Sequence, residues 1–453
     1  MRRFTQILVA AALLCALAPA PAGAQFGLHD LDVTFVPQPG QSPLEAGSHP
    51  LEMTTELRLD TAVSEGEEHV LGAIKDLEVF QPEGFVGTPT ATPRCSTLDF
   101  LAKSADNKNI SQCPNSAAVG HTRITFIERE GEPVETQPIP VYNLEPPPGM
   151  AARLGFWVVS TPITINLGVN PNPPYNVVAS VLDTSQVLEF SAAELTIWGN
   201  PTAAVHDDMR GHCLDEGSPI GDSCPANVPV EPFITLPRSC AGPLETFFRA
   251  TSWWDGDPQS PEPGPLFEES VFTHDDSEPP NPLGTTGCGS LGFAPQIEAK
   301  PTTLAAQSPS GLDFSLNVKD EGLTNPTGRA HADIKKVEVT LPEGMSANPA
   351  MGEGLEVCSE ADLERETAFS NPGAGCPNAS KVGTVEVETP LLDKAVHGSL
   401  HIAKPYENPF GSLLALYLVL QDKELGISVT QPLEVKPNLQ TGQLTTVAED
   451  LPQ

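Results

Sequence analysis

His206, Asp207, Asp208, His212 and Cys213 form the densest set of potential metal ligands in the chain. Imidazole and carboxylate both bind zinc, which makes His206, Asp208 and His212 the candidate metal ligands. Two features oppose a structural zinc site. Cys213 has other cysteines to pair with, and no second His/Cys pair stands at zinc spacing. An ordinary polar loop explains the same residues, and no metal is assigned.

Trp253 and Trp254 are adjacent indoles in a polar, Pro-rich stretch. Exposed aromatic rings can stack on sugars, so this pair is the candidate ligand-binding site. If the segment is a strand, one indole faces the core and the other faces out, and large aromatics are buried on average. Asp255 and Asp257 follow, but a calcium loop needs more oxygen ligands and a distal Glu. The chain contains no Gly-x-Ser-x-Gly, no His-Glu-x-x-His and no Gly-x-x-x-x-Gly-Lys-Ser/Thr. A Ser-His-Asp triad is recognised by geometry and not by order, so the 10 scattered histidines leave catalysis undecided. No catalytic residue is assigned. Asn109-Ile110-Ser111 and Asn378-Ala379-Ser380 match the N-glycosylation pattern, but the short signal led by Arg2 and Arg3 looks bacterial, which makes the match incidental.

The elements that must position these residues occur twice. Ile74-Lys75-Asp76-Leu77-Glu78-Val79-Phe80-Gln81-Pro82-Glu83-Gly84 matches Ile334-Lys335-Lys336-Val337-Glu338-Val339-Thr340-Leu341-Pro342-Glu343-Gly344 at an offset of 260. Cys95-Ser96-Thr97-Leu98-Asp99-Phe100 matches Cys358-Ser359-Glu360-Ala361-Asp362-Leu363 at an offset of 263. At the same offset, Cys113-Pro114-Asn115 and Val119-Gly120 match Cys376-Pro377-Asn378 and Val382-Gly383. Three matches in register read as a tandem duplication.

Each copy predicts the same local events. The alternating residues before Pro82 and Pro342 are a strand, ended by a Pro-Glu-Gly turn. Ser96-x-x-Asp99 and Ser359-x-x-Asp362 have capping-box spacing, so a short helix follows each first cysteine. A unit that occurs twice pairs most simply within itself, giving Cys95–Cys113 and Cys358–Cys376, each 18 residues apart. A cross-link closing such a loop is worth roughly 3 kcal/mol in the chain-entropy model. Cys213, Cys224, Cys240 and Cys288 allow three pairings. Sequence order favours Cys213–Cys224 with Cys240–Cys288. Further apolar runs separated by Pro and Gly read as short strands. Residues 413–420 are nearly unbroken apolar, as in a strand buried on both faces. The expected fold is all-β: tandem β-sandwich-like units with short disulfide-pinned helices.

The ends and the composition set the compartment. Arg2 and Arg3, an apolar run over residues 7–17 and the small residues Ala22-Gly23-Ala24 read as a secretory signal over residues 1–24. That run is too short to span a bilayer, which takes ~20 residues. No later stretch suits a transmembrane segment. Removing the signal takes Cys15 and leaves eight of nine cysteines, an even number that suits disulfides in an exported chain. It also removes two arginines, moving the formal net charge from −35 to −37. Phosphate backbones repel such a chain, so nucleic acid is excluded as a partner. An acidic surface can hold Ca2+, but solvated acidic loops account for it without a cofactor.

Three phrases carry a resemblance: Cys113 to Gly120, the run from Pro140-Val141-Tyr142-Asn143 to Gly149, and Asn408-Pro409-Phe410-Gly411 with Tyr417. They resemble a group of large exported repeat proteins of actinobacteria, secreted or at the cell surface. The resemblance implies export and a longer chain, and it brings no activity and no site residues.

The domain reading is a signal over 1–24, a first copy over 25–200, a Cys- and Pro-rich β extension over 201–295 and a second copy over 296–453. Asn170-Pro171-Asn172 aligns with Lys436-Pro437-Asn438, after which the second copy stops short of the first, as a truncated unit would. The expected function is an exported, non-enzymatic extracellular or cell-envelope module, structural or binding, with a cell-envelope glycan or protein as partner. The alternative is a secreted, polysaccharide-directed hydrolase with its site in the 198–288 loops.

Overall fold

The computed structural model describes residues 26–102, 111–128, 131–214, 223–253, 264–345 and 355–452. The signal over 1–24 and the residues Asn109, Ile110, Trp254, Asp255 and Asp257 lie outside the described residues. At 43% strand and 6% helix, the chain is all-β as expected. Among the described residues no helix is long and apolar enough to cross a membrane.

Strands β1 (Leu28–Val36) and β2 (Glu52–Leu59) pair antiparallel, followed by the ribbon β3 (Thr61–Ser64) and β4 (Glu67–Val70). Next come β5 (Ile74–Phe80) and the short β6 (Val86–Gly87). A meander then runs through β7 (Ala118–Ile127), β8 (Pro133–Glu135), β9 (Ile139–Leu144), β10 (Ala152–Val158), β11 (Thr161–Val169) and β12 (Val177–Val181). The remaining strands of this half are β13 (Glu189–Trp198), β14 (Ile234–Thr235), β15 (Glu245–Ser252) and β16 (Leu266–Phe272). Their main sheet is 12-stranded, ordered β1-β2-β13-β7-β9-β10-β11-β12-β5-β15-β16, with β8 beside β7.

This sheet curls until its edges meet. Just past β16, the Thr273 hydroxyl donates to the Val33 carbonyl on β1 (3.0 Å), and His274 stands 3.4 Å from Asp32. The result is a near-closed barrel. The layered, sandwich-like packing is thus one sheet folded over on itself, with period-2 side chains alternating between its interior and its outside. Val33, Val119, Val141 and Phe248 are fully buried inside. Residues 201–295, read as an extension, supply β15 and β16 to this barrel.

Helix α1 (Thr97–Leu101) starts where the capping spacing places it, with the Asp99 amide donating to Ser96 Oγ (3.1 Å). Its Phe100 packs against Trp157, and the Trp157 indole donates to the Phe100 carbonyl (2.8 Å). The Cys95–Cys113 bridge lies in the same cluster on the barrel's outer wall. The other bridges are Cys213–Cys224, Cys240–Cys288 and Cys358–Cys376, the pairing that spacing and order suggest.

The second half contains the hairpin β17 (Pro295–Pro301) and β18 (Leu312–Val318), then β19 (Val337–Thr340) and β20 (Lys381–Val387). It ends with β21 (Val396–Ile402), β22 (Ala415–Asp422), β23 (Ile427–Pro437) and β24 (Leu444–Ala448). Six of these make a half-barrel ordered β19-β24-β23-β22-β21-β20. The same order runs through the first sheet as β5-β12-β11-β10-β9-β7. A capped helix, α2 (Glu360–Leu363), and a bridge from Cys358 to Ala403 match α1 and the Cys95 bridge to Leu144.

One expectation needs correction. On β22, Ala415, Tyr417 and Val419 are buried under the disulfide, but Leu416, Leu418 and Leu420 are only half-buried. The concave-side leucines are only half-buried because that side belongs to a half-barrel with no opposite wall among the described residues.

Close approach of β13 to β7 requires a glycine. A Cβ on Gly120 would stand 2.0 Å from the Thr196 carbonyl oxygen, whereas one on the matching Gly383 would meet only the Leu400 side chain, 3.3 Å away. Gly120→Ala should therefore cost ~1–3 kcal/mol and Gly383→Ala clearly less, as read by urea unfolding of the two variants. Equal costs would show that β7 and β20 are equally crowded.

Candidate functional site

Inward side chains of β2, β5, β7, β10, β11, β12 and β13 leave a cavity of about 180 Å3 beside the β10–β11 turn. Leu57, Leu77, Phe126, Phe156, Ile163 and Leu195 are among its walls. The only polar side chains in the lining are Thr55, Thr122, Thr161, Thr184 and Ser185, and none of the lining residues is titratable. The Thr122 hydroxyl is already spent on the Glu194 carbonyl (2.8 Å). A lining of this kind offers dispersion contacts and no acid, base or nucleophile of useful pKa. Apolar cavities of ~150 Å3 stay dry and take up small apolar molecules.

The rim is built by the β12–β13 loop, which is tied to the start of β5. The Thr184 amide donates to the Lys75 carbonyl (2.9 Å) and its hydroxyl to the Ile74 carbonyl. Trp253 follows β15 here. Its backbone amide donates to the Ala73 carbonyl (3.0 Å) and its indole to the Thr184 carbonyl (2.9 Å), both residues of the cavity wall. Lys75 Nζ stands over the indole, 5.4 Å from the ring centroid. It also lies 2.8 Å from Asp76 and 3.4 Å from Asp183. The hydrogen bond to Asp76 holds the Lys75 ammonium above its ordinary pKa. One cation facing two carboxylates leaves the rim with a net negative charge.

Of the candidate ligand-binding pair, Trp253 is thus half-buried at the rim, and Trp254 lies outside the described residues. Nothing in its sequence context distinguishes this rim position from a core one. The wall residues come from seven strands spread over residues 55–195. Their alternation is legible, but lumen and core share the same period.

His206, Asp208 and His212 do not converge on one point. His206 is buried and stacked on Trp198, with ring centroids 4.5 Å apart and planes 15° from parallel. Asp208 is exposed and His212 half-buried. Among the described residues no three His, Cys, Asp or Glu side chains are placed to hold a metal ion. These residues belong to a loop packed against Trp198 and the outer-wall cluster around the Cys95–Cys113 bridge, which Met209 also joins. Buried Arg210 organises it, donating to the carbonyls of Pro201 (2.7 Å), Ala203 (2.8 Å) and Cys224 (3.0 Å) and pairing with Asp207. The loop is anchored by the His212 amide, which donates to Asn115 Oδ1 (3.0 Å). Elsewhere in the 198–288 loops, Asp275 is exposed and held well below the usual carboxylate range by Ser277 and Asn281, which fold a turn around it.

Comparison with protein-family models, with curated proteins and with solved structures finds no match for the chain.

Burial lowers the His206 pKa from 6.5 to about 3, with Arg210 contributing. The folded chain therefore binds fewer protons at this site than the unfolded chain, and stability is full above pH 6.5 and falls as pH drops toward about 3. His206→Phe keeps a ring on Trp198 and removes the titration. The variant should gain on the wild type by up to roughly 3 kcal/mol between pH 7 and pH 4, measured by urea unfolding at both values. A constant difference would mean that His206 is not buried neutral.

Proposed function

We propose that the chain is an exported, non-enzymatic binding module of two related units, and that its first barrel takes a small uncharged apolar ligand. The cavity carries this reading: about 180 Å3 of apolar space inside the barrel wall, without a titratable side chain in its lining. Four disulfides suit an oxidising compartment outside the cytoplasm. The shared strand order of the two sheets supports the duplication. Support for binding over polysaccharide hydrolysis comes from the 198–288 loops, whose His206, Asp207 and Asp275 serve an outer-wall loop and a turn.

Electrostatics selects the ligand class. A carboxylate would have to approach a rim where Asp76 and Asp183 outnumber Lys75, on a chain of formal net charge −35. A neutral head group meets no such penalty. Octanol and octanoate share a chain and differ in charge, so calorimetric titration of both against the mature protein separates the terms. Octanol should bind about one per chain and octanoate at least ~10-fold more weakly, a difference of ~1.4 kcal/mol. Ala193→Phe, which fills the cavity from β13, should abolish the octanol signal. Absence of octanol binding, or binding unchanged in the filled variant, would remove the cavity as the site.

A further inference from the structure

The four disulfides differ in what covers them. Cys95, Cys113, Cys358 and Cys376 are fully buried, each pair inside an apolar cluster. Cys213 and Cys224 are half-buried, and their bridge rests on Arg210, whose guanidinium donates to the Cys224 carbonyl (3.0 Å). The Cys224 amide in turn donates to the Asp207 carbonyl (2.9 Å). Cys240 is exposed and Cys288 half-buried. A Cβ added at Gly242 or Gly289 would meet nothing within 4 Å, so there is open space beside both halves of this bridge. Thiol–disulfide exchange needs a thiolate to reach a sulfur, so cover decides which bridge reacts.

The same bridge lies between two anchors of the segment that joins the halves. Two residues before Cys240, Arg238 meets Asp320 (3.3 Å) and Asp333. On the other side, Arg329 donates to the Gly287 carbonyl (3.2 Å) and to Ser290 Oγ (3.1 Å), which stand on either side of Cys288 in the chain. Arg329 also donates to the Ala46 carbonyl (3.0 Å) and pairs with Glu45 (2.8 Å). The Ala330 amide donates to the Gly47 carbonyl (2.8 Å). Residues 320–333 are thus strapped to the first half through two arginines. The Cys240 segment supplies one of them and the Cys288 segment receives the other, and the disulfide locks those two segments together.

We propose that Cys240–Cys288 is a thiol-exchange site, the bridge that an external dithiol opens while the other three stay closed, and that opening it loosens the 320–333 strap. A thiolate of the dithiol attacks Cys240 Sγ, the exposed sulfur. The bond to Cys288 breaks, and its electron pair leaves on Cys288 Sγ. The second thiol of the reagent then attacks the reagent sulfur of the mixed disulfide, and that electron pair leaves on Cys240 Sγ. Each cysteine takes up one of the two protons the dithiol gives up. The reagent is oxidised to a disulfide as the protein bridge is reduced by two electrons. Exposed bridges are the readily reduced ones. The barrel stays closed through this step, because β15 is held by its ladders to β5 and β16. None of these cysteines and arginines lines the first cavity, so the inference stands apart from what that cavity binds.

The test titrates the disulfide-intact mature chain with dithiothreitol under native conditions, quenches by alkylation and maps the labelled cysteines by mass spectrometry. Cys240 and Cys288 should be labelled at a dithiol concentration at least ~10-fold below that needed for any other cysteine. Glutathione, a monothiol, should leave its adduct on Cys240 and a free thiol at Cys288. In the selectively reduced chain, hydrogen exchange over residues 320–333 should quicken by ~10-fold, while that over β7 and β13 stays as in the oxidised chain. Cys240→Ser combined with Cys288→Ser should show the same faster exchange before any dithiol is added. The titration is read on the unmodified chain, so it decides the proposal even where this variant fails to fold. Opening of Cys213–Cys224 at the same or a lower concentration overturns the proposal, as does glutathione carried by Cys288. Unchanged exchange over 320–333 in the selectively reduced chain overturns it too, and would leave the strap held by its arginines alone.

Discussion

The interior of the first barrel depends on β13 being paired along both of its edges. Its ladders to β2 and β7 turn two sheet fragments into one continuous wall. The backbones approach so closely that residue 120 has room only for a hydrogen, with the Thr196 carbonyl 2.0 Å from where a Cβ would be. The two ends of the same strand then do different work. At its start Phe190, Ala193 and Leu195 face the cavity. At its end Trp198 faces outward, fully buried beneath His206, and the next residue's carbonyl, that of Gly199, receives the Phe233 amide (2.7 Å). A single ladder therefore sets the wall, lines the cavity on its inner face and seats the His206 loop on its outer face.

The segment between the halves is held just as firmly. His49 is fully buried in the first half, and its Nε2 lies 2.9 Å from the Gly322 carbonyl, with the Thr235 hydroxyl 3.2 Å from Nδ1. Burial lowers its pKa, so the ring is neutral and donates one hydrogen bond while accepting another. Arg238 meets Asp320 (3.3 Å) and Asp333 across the same seam, all three largely buried. Such a group gains little over apolar packing, but losing one member strands a buried charge at ~3–5 kcal/mol. It therefore acts chiefly to fix one arrangement. Further along, Tyr175 donates to the Thr430 carbonyl (2.7 Å) and the Gly149 amide to the Glu424 carbonyl (2.8 Å). The half-barrel is attached by polar contacts on its outer side, and its concave side is left out of them.

What can be read from the sequence is local. The capped helices after Cys95 and Cys358 and the 18-residue bridges depend on residues close in the chain, and spacing alone specifies them. The strand from Thr161 to Val169 is legible for the same reason. Closure is not. Nothing near residues 245–272 shows that they pair with β5 across some 170 intervening residues, because a strand's partner is not written in its own alternation. β13 begins at Glu189, and a bulge between Phe190 and Ala192 breaks its alternation, which the order of its residues alone does not reveal. His206 stands out in the sequence for its chemistry, yet its surroundings use it as a flat, neutral ring on Trp198. Residue type marks what a side chain can do, and burial decides which of those properties remains.

The two concave faces argue for what closure does. At matched positions the first unit has Thr122 and Thr161 where the second has Val385 and Val429. The difference does not run one way: Ile163 and Ala179 of the first unit correspond to Gln431 and Thr446 of the second, so both concave faces carry polar side chains. The two halves therefore differ in closure and not in the polarity of their concave faces. On that view the disulfide-pinned outer wall is the constant part of the unit, and the strands that complete the barrel are the part that varies.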